Sequence, residues 1–152
     1  MQLPLMPGSE ARYCVWRSGH EFCLPLEQVT EIIPFPQLTV VPRTPPFLLG
    51  IAEYGRTVLP VIYLADQNLV RAAEEAAPRR WRAVVIATAE RAGKVLRLGF
   101  AAEQVETAAG SAPLAAADAP SFAPRVVKLE SGRSANLLNI ATVIEVFCIP
   151  PL

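Results

Sequence analysis

The strongest constraint on the fold is the stretch 50–64, in which a tight turn separates two β-rich arms. Its second arm, residues 57–64, is apolar at nearly every position, and such a run is typical of a strand covered on both faces. Gly55 and Arg56 fit a two-residue hairpin loop with positive φ at the glycine, which leaves the arginine side chain at the tip. Pro60 cannot donate a ladder hydrogen bond, so its strand must be at an edge, bulged, or paired on one side only. We therefore expect an irregular hairpin at the centre of the molecule.

The remaining patterns predict a mainly β protein with few helices. Residues 26–33 are expected to begin as one helical turn and to continue as a strand until Pro34, because a residue before proline avoids the α region. Ala, Pro, Ser and Gly dominate residues 108–123, which predicts a mobile loop. Further hairpins are expected around turns at residues 17–20, 90–93 and 131–133, and short helices at residues 66–77 and 141–147.

Two sequence echoes, each about half a chain apart, indicate an internal duplication. Val29 and its neighbours resemble Val105 and its neighbours 76 positions later, and Ile62 and its neighbours resemble Ile140 and its neighbours 78 positions later. Both echoes keep the same order along the chain. Repeated units of short strands most naturally form two small barrels that pack together.

Charge and length exclude several classes of function. The 14 basic and 14 acidic residues cancel without forming blocks, so the electrostatic footprint of a nucleic-acid binder is missing. No apolar run approaches the ~20 residues of a membrane helix, and the N-terminus has no signal-peptide pattern, so we expect a soluble protein without membrane insertion. A chain of 152 residues with 52% apolar side chains can form its core without metal or disulfide. We expect residues 1–10 to be a flexible lead-in and residues 11–152 to form a single domain.

The cysteines do not form a recognisable chemical motif. Cys14, Cys23 and Cys148 make an odd number, which favours reduced, buried thiols. With a four-residue loop at 17–20, Cys14 and Cys23 lie opposite each other, where a disulfide is the alternative. His20 is the only histidine, so a thiol-dependent hydrolase using Cys23 and His20 is the competing enzymatic hypothesis. No spacing suits a metal, and we expect neither a cofactor nor catalytic residues.

A set of short motifs runs in order from residue 13 to residue 69, and continues more thinly through residues 81–100 and 126–147. Its members are the strand pair around Phe22 and Leu24, V-T-E-I-I from Val29, L-T-V-V-P from Leu38, P-P-F from Pro45, Gly50-Ile51, and V-L-P-V-I from Val58. In order and spacing this set resembles the CheW-type coupling proteins of bacterial chemosensory systems. Each motif alone is weak, and the set is specific.

The resemblance implies a fold of two intertwined, five-stranded, SH3-like β-barrels, in agreement with the half-chain echoes. It also implies a non-catalytic cytoplasmic adaptor, recruited to receptor arrays at the inner membrane. Such a protein joins a methyl-accepting chemoreceptor to the regulatory domain of a CheA-type histidine kinase, for chemotaxis or pilus-type motility. The positions that match the family's partner-contact surface are Val29, Glu31, Ile32 and Gly50. Core packing explains Val29 and Ile32 equally well.

The hairpin tip departs from the family pattern. Glu53 and the three tip residues Tyr54, Gly55 and Arg56 occupy the place where the family reads N-L-R-G, with an arginine important for receptor contact. The arginine has moved by one position, which along a strand is about 3.3 Å and a change of face. Tyr63 and Ala65 replace two charged residues of the family's D-L-R ending. We expect these three tip residues to contact a partner, and either the receptor differs or the protein binds only one of the two partners.

Overall fold

The computed structural model describes residues 11–44, 47–64, 81–117 and 119–146. Over these residues the chain is mainly β, as predicted, with two sheets and a short α-helix. The predicted lead-in at 1–10 and helix at 66–77 lie outside the described residues. The strands are β1 (Ala11–Ser18), β2 (His20–Pro25), β3 (Val29–Pro34), β4 (Leu48–Tyr54), β5 (Thr57–Ile62), β6 (Ala83–Arg91), β7 (Lys94–Ala102), β8 (Gln104–Gly110), β9 (Leu114–Ala115), β10 (Arg125–Lys128) and β11 (Ser134–Leu137), and the helix is α1 (Ile140–Val146).

Each sheet contains one strand that directly follows a hairpin of the other sheet along the chain. The first sheet has the order β8-β1-β2-β11-β10-β9, and the second has the order β3-β6-β7-β5-β4. Strand β3 follows the β1–β2 hairpin but pairs with β6, and β8 follows the β6–β7 hairpin but pairs with β1. Strands β5 and β11 then join β7 and β2 in parallel pairs. The two halves of the chain are therefore intertwined, and the first sheet has one strand more than the predicted five because β9 is added.

The strand pairing tests both sequence echoes. Val29 lies opposite Ala87 of β6 and Val105 lies opposite Trp16 of β1, so the first echo marks the two exchanged strands. The second echo is wrong by two residues. Val61 pairs in parallel with Gly99 of β7, and Leu137 pairs in the equivalent way with Cys23 of β2. The counterpart of Ile62 is therefore Leu138, and both lie in the cluster between the sheets. Ile140 instead begins α1.

Backbone hydrogen bonds also connect parts of each sheet that are far apart in its strand order. After β3 the chain returns to the other edge, where Thr39 and Ile51 exchange hydrogen bonds of 2.8 and 2.9 Å. In the first sheet, Gly110 at the end of β8 bridges to Leu129 just beyond β10. Each sheet therefore curls, which gives it an inner and an outer face.

The core consists of three apolar clusters that follow the alternation of side chains along the strands. One cluster lies between the two sheets and under α1, where Trp16 stacks on Phe100 with ring centroids 5.4 Å apart. The other two clusters each belong to a single sheet and face its interior. The second sheet encloses Ala52, Leu59, Val61, Tyr63, Trp81, Val84, Ile86 and Ala101, and the first encloses Tyr13, Val15, Cys23, Val127, Leu129, Ala135 and Leu137.

The Ala-rich segment 108–123 is not the loop that its composition predicts. Strand β8 runs to Gly110, β9 follows, and Phe122 and Ala123 are buried in the cluster between the sheets. A Cβ on Gly110 would lie 2.6 Å from Cγ1 of Val127. The missing side chain at Gly110 therefore allows close packing of β8 against β10.

The turn between β1 and β2 is tighter than the predicted loop at 17–20. Only Gly19, with φ of 75°, separates the two strands. The resulting register sets Cys14 opposite Leu24 and Cys23 opposite Val15, so the two cysteines do not face each other and lie in different clusters. Both are buried and free, which confirms the reduced thiols at these two positions. Cys148 lies outside the described residues.

Several local predictions are confirmed. A 3-10 turn at Leu26–Gln28 leads directly into β3, which ends at Pro34. The hairpin of β6 and β7 turns at Ala92 and Gly93, which have φ of 53° and 78°. Helix α1 starts one residue before its predicted beginning.

Candidate protein-interaction site

The β4–β5 hairpin has the irregular form that its sequence predicts. Gly55 has φ of 61°, and Arg56 is exposed at the tip. Pro60 pairs only with Ile51 of β4, because the parallel pairing of β5 with β7 begins one residue later. The second arm is predicted to be a strand buried on both faces from residue 57 onward. In the structure its residues are buried only from Leu59, and Thr57 and Val58 are exposed. Val58 is 45% exposed and lies next to the tip.

Gly50 lies beneath the surface. It is buried in β4, and a Cβ there would stand 2.8 Å from the carbonyl oxygen of Thr39 and 3.0 Å from Cβ of Leu38. Only a glycine lets the chain after β3 approach β4 closely enough for the Thr39–Ile51 bridge. Any effect of Gly50 on a partner must therefore pass through the segment that it supports.

Glu31 and Tyr54 meet, although they lie on strands at opposite edges of the second sheet. The phenol of Tyr54 donates a hydrogen bond to Oε1 of Glu31, and the guanidinium carbon of Arg97 on β7 lies 6.0 Å from the centroid of the Tyr54 ring. We call Glu31, Tyr54 and Arg97 the Tyr54 cluster. The hydrogen bond to Glu31 raises the pKa of Tyr54, with smaller contributions from burial and from the charge of Glu31, against the opposing charge of Arg97.

A bulge in β3 brings Glu31 to this position. The register with β6 shifts between Val29, opposite Ala87, and Glu31, opposite Ile86. In a regular strand, residues two apart share a face, but here Val29 packs against the cluster between the sheets while Glu31 pairs with a residue of the inner cluster. Val29 is therefore half-buried, as the core-packing alternative expects, whereas Ile32 is 40% exposed.

The first sheet carries an equivalent cluster with different chemistry. There Arg133 forms an ion pair of 2.7 Å with Oε1 of Glu21 and a second ion pair with Oε1 of Glu106. We call these three residues the Arg133 cluster. Trp16 of β1 and Ala87 of β6 are equivalent, because each lies opposite the valine of the first echo. Glu21 comes one residue before the β2 partner of Trp16, and Arg97 comes one residue before the β7 partner of Ala87. Glu106 follows Val105 on the exchanged strand β8. Glu106 is thus the counterpart of Glu31, and Glu21 is the counterpart of Arg97.

A cleft between the two sheets offers a second surface. It is open, and its walls come from the end of β6 and from the chain that leads into α1. Gln28, Thr88, Arg125, Leu138 and Ile140 are among the residues that line it. Neither this cleft nor Arg97 was predicted as part of a site, because only the pairing of distant strands brings these residues to their places.

The thiol chemistry of the competing hypothesis has no basis in this geometry. Burial, with a smaller effect of Cys14, raises the pKa of Cys23 to about 12, so its reactive thiolate is suppressed. His20 is exposed and lies three residues away on β2, which directs the two side chains to opposite faces of the strand. Among the residues that the structure describes, no group of three His, Cys, Asp or Glu side chains could hold a metal ion. In the same part of the chain, no helix has the length and hydropathy that a membrane crossing requires.

Comparisons with known proteins cover nearly the whole chain. The model of the CheW-like domain family matches residues 14–147. Among solved structures, the scaffolding protein TtCheW from Thermoanaerobacter tengcongensis is similar, with a TM-score of 0.63 and 15% sequence identity over 92% of this chain and 91% of that one. At this identity the likeness to TtCheW shows a shared fold. No curated protein matches the chain.

Proposed function

Because the chain belongs to the CheW-like family, we propose that it is a non-catalytic adaptor which couples a chemoreceptor to a CheA-type histidine kinase. In this role it acts at receptor arrays on the inner membrane and lets the receptor's state control phosphorylation by the kinase. The observation that carries the proposal is the family match over residues 14–147, which spans both intertwined halves. The chemistry then resides in the partners.

The surface around the Tyr54 cluster supports binding to a protein. It combines the Glu31 carboxylate, the exposed Arg56 and the exposed apolar side chains of Ile32 and Val58. Aromatic and arginine side chains beside apolar ones are the usual anchors of protein interfaces. We assign the β3 side of this surface, with Glu31 and Ile32, to the regulatory domain of the kinase, and the hairpin tip to a receptor helix hairpin.

The position of Arg56 bears on which receptor is bound. Tyr54 pairs with Thr57, so Gly55 and Arg56 alone form the loop, and the arginine follows the positive-φ glycine. In the family pattern the arginine precedes the glycine, and its side chain must therefore leave the loop in a different direction. This difference supports a specialised pathway, of which a pilus-type chemosensory system is our candidate.

Separate titrations with each partner test the proposal. The purified full chain is titrated calorimetrically with the kinase regulatory domain alone, with a receptor cytoplasmic fragment alone, and with the second partner after saturation by the first. If the protein is a coupler, it binds each partner alone and still binds the second partner after saturation with the first. Binding of a single partner would replace the coupler with the one-partner alternative, and binding of neither would refute the adaptor function.

A further inference from the structure

In the Tyr54 cluster, side chains of the two edge strands of the second sheet, β3 and β4, contact each other. Glu31 stands on one edge strand, Tyr54 ends the other, and 23 residues separate them along the chain. We infer that Tyr54 is a positioning residue, which holds the Glu31 carboxylate in one orientation for a basic or N–H group of the bound partner. The inference rests on the proposed function and names the contact that makes Glu31 a binding residue.

The hydrogen bond fixes Glu31 without using up its capacity to bind. An ionised carboxylate can accept about four hydrogen bonds, and Tyr54 occupies Oε1 only. Because the phenol is neutral, it leaves the negative charge of Glu31 in place. A free glutamate side chain on the surface samples many rotamers, and a partner must immobilise it on binding. Tyr54 has already restricted these rotamers, which is preorganisation of a binding group.

Arg97 restricts the ring that holds Glu31. Its guanidinium lies at the distance from the Tyr54 ring where a cation is still attracted to the aromatic face. The backbone also limits Tyr54, since it pairs with Thr57 next to the two-residue turn. The backbone pairing in β4 and the contact with Arg97 of β7 therefore both restrict the Tyr54 side chain, whose hydroxyl bonds Glu31 on β3.

The Arg133 cluster shows the equivalent position with its carboxylate paired to an arginine of the same chain. Nη1 of Arg133 lies 2.7 Å from Oε1 and 3.1 Å from Oε2 of Glu21, and Nη2 pairs with Glu106. Here a cation of the chain itself offsets the carboxylate charge. The two sheets place a glutamate at equivalent positions, and only Glu31 keeps its charge available to another molecule.

A phenol-to-phenyl substitution tests the inference, with the kinase regulatory domain as the probe. Tyr54→Phe in the full chain should weaken calorimetric binding by roughly two- to tenfold, the range for immobilising one flexible side chain. The double variant Tyr54→Phe, Glu31→Gln should bind no more weakly than Glu31→Gln alone, because the phenol acts through the carboxylate. Glu106→Gln, the matched change in the Arg133 cluster, should leave the affinity within about twofold. Unchanged affinity in Tyr54→Phe while Glu31→Gln weakens binding, or additive effects of the two changes, would overturn the inference.

A measurement without any partner keeps the inference separate from the adaptor function. In NMR spectra of the free chain, the side chain of Glu31 should populate one rotamer in the wild type and several in Tyr54→Phe. The ring signals of Tyr54 should titrate above the usual pKa near 10 in the wild type and closer to it in Glu31→Gln. If the wild type binds neither partner, the adaptor function fails, and these spectra still decide whether Tyr54 holds Glu31. Equal rotamer averaging in the wild type and Tyr54→Phe refutes the positioning role.

Discussion

Replacing Gly50 by alanine should destabilise the fold without touching the partner surface. The new Cβ would lie 2.8 Å from the carbonyl oxygen of Thr39 and 3.0 Å from Cβ of Leu38. The first of these is a backbone atom, so relief requires the segment after β3 to move away from β4. That movement strains the two hydrogen bonds between Thr39 and Ile51. Overpacking costs about 1–3 kcal/mol, and partial loss of two backbone bonds adds roughly 1 kcal/mol. We therefore expect a loss of about 2–4 kcal/mol beyond the backbone strain that alanine meets at the φ of 157° of Gly50.

Gly55→Ala is the matched control for this prediction. Gly55 also has positive φ, but apart from its chain neighbours no atom of the described residues lies within 4 Å of its added Cβ, so only the backbone cost of about 1–2 kcal/mol applies. Urea unfolding of both variants, followed by circular dichroism, measures the difference. Equal loss of stability in the two variants would show that close packing against Thr39 is not the reason for Gly50. A fully stable Gly50→Ala that fails to bind a partner would instead place Gly50 in the interface.

Three further predictions address the site and the buried thiols. Glu31→Lys should weaken binding of the kinase regulatory domain by about 1–3 kcal/mol with little change in the melting temperature, and a large fall in that temperature would assign Glu31 to a structural network. Arg56→Ala should weaken binding of the receptor fragment and spare the kinase domain, and an unchanged receptor affinity would show that the moved arginine has lost the family's role. Burial raises the pKa of Cys14 to about 11 and that of Cys23 to about 12, so the folded state holds protons that the unfolded state releases above about pH 9. The free energy of unfolding should therefore fall as pH rises from 9 toward 12, and a flat profile in that window would contradict this linkage.

Local backbone chemistry could be predicted from the sequence. The φ of Gly55, the one-sided pairing of Pro60 and the turn that leads into β3 all follow from rules about single residues and their neighbours. The half-chain echo at Val29 and Val105 also predicted two repeated units that pack together. These features depend on short segments, which is why pattern analysis reaches them.

Features that depend on register or on distant partners could not be predicted. A turn of one residue at Gly19, where four were expected, shifts the pairing and moves Cys14 to the face opposite Cys23. The bond between Glu31 and Tyr54 requires both edges of a curled sheet to meet, and no spacing in the sequence encodes that curl. In segment 108–123 the composition predicts flexibility, although Gly110 of this segment serves close packing.

The duplicated scaffold becomes asymmetric at one inserted residue. Strand β8 pairs with β1 in unbroken register, so Glu106 directly follows the half-buried Val105. In β3 the bulge adds Thr30 between Val29 and Glu31, and the hydroxyl of Thr30 bonds that of Thr88 at 2.5 Å. Glu31 therefore lies at the position in the second sheet that Glu106 has in the first. Its strand bends there, as bulged strands do. A tyrosine from the hairpin tip then holds this carboxylate where the other sheet uses an arginine. The two equivalent halves therefore differ in chemistry at this position, and the carboxylate that we assign to a partner lies on the second sheet.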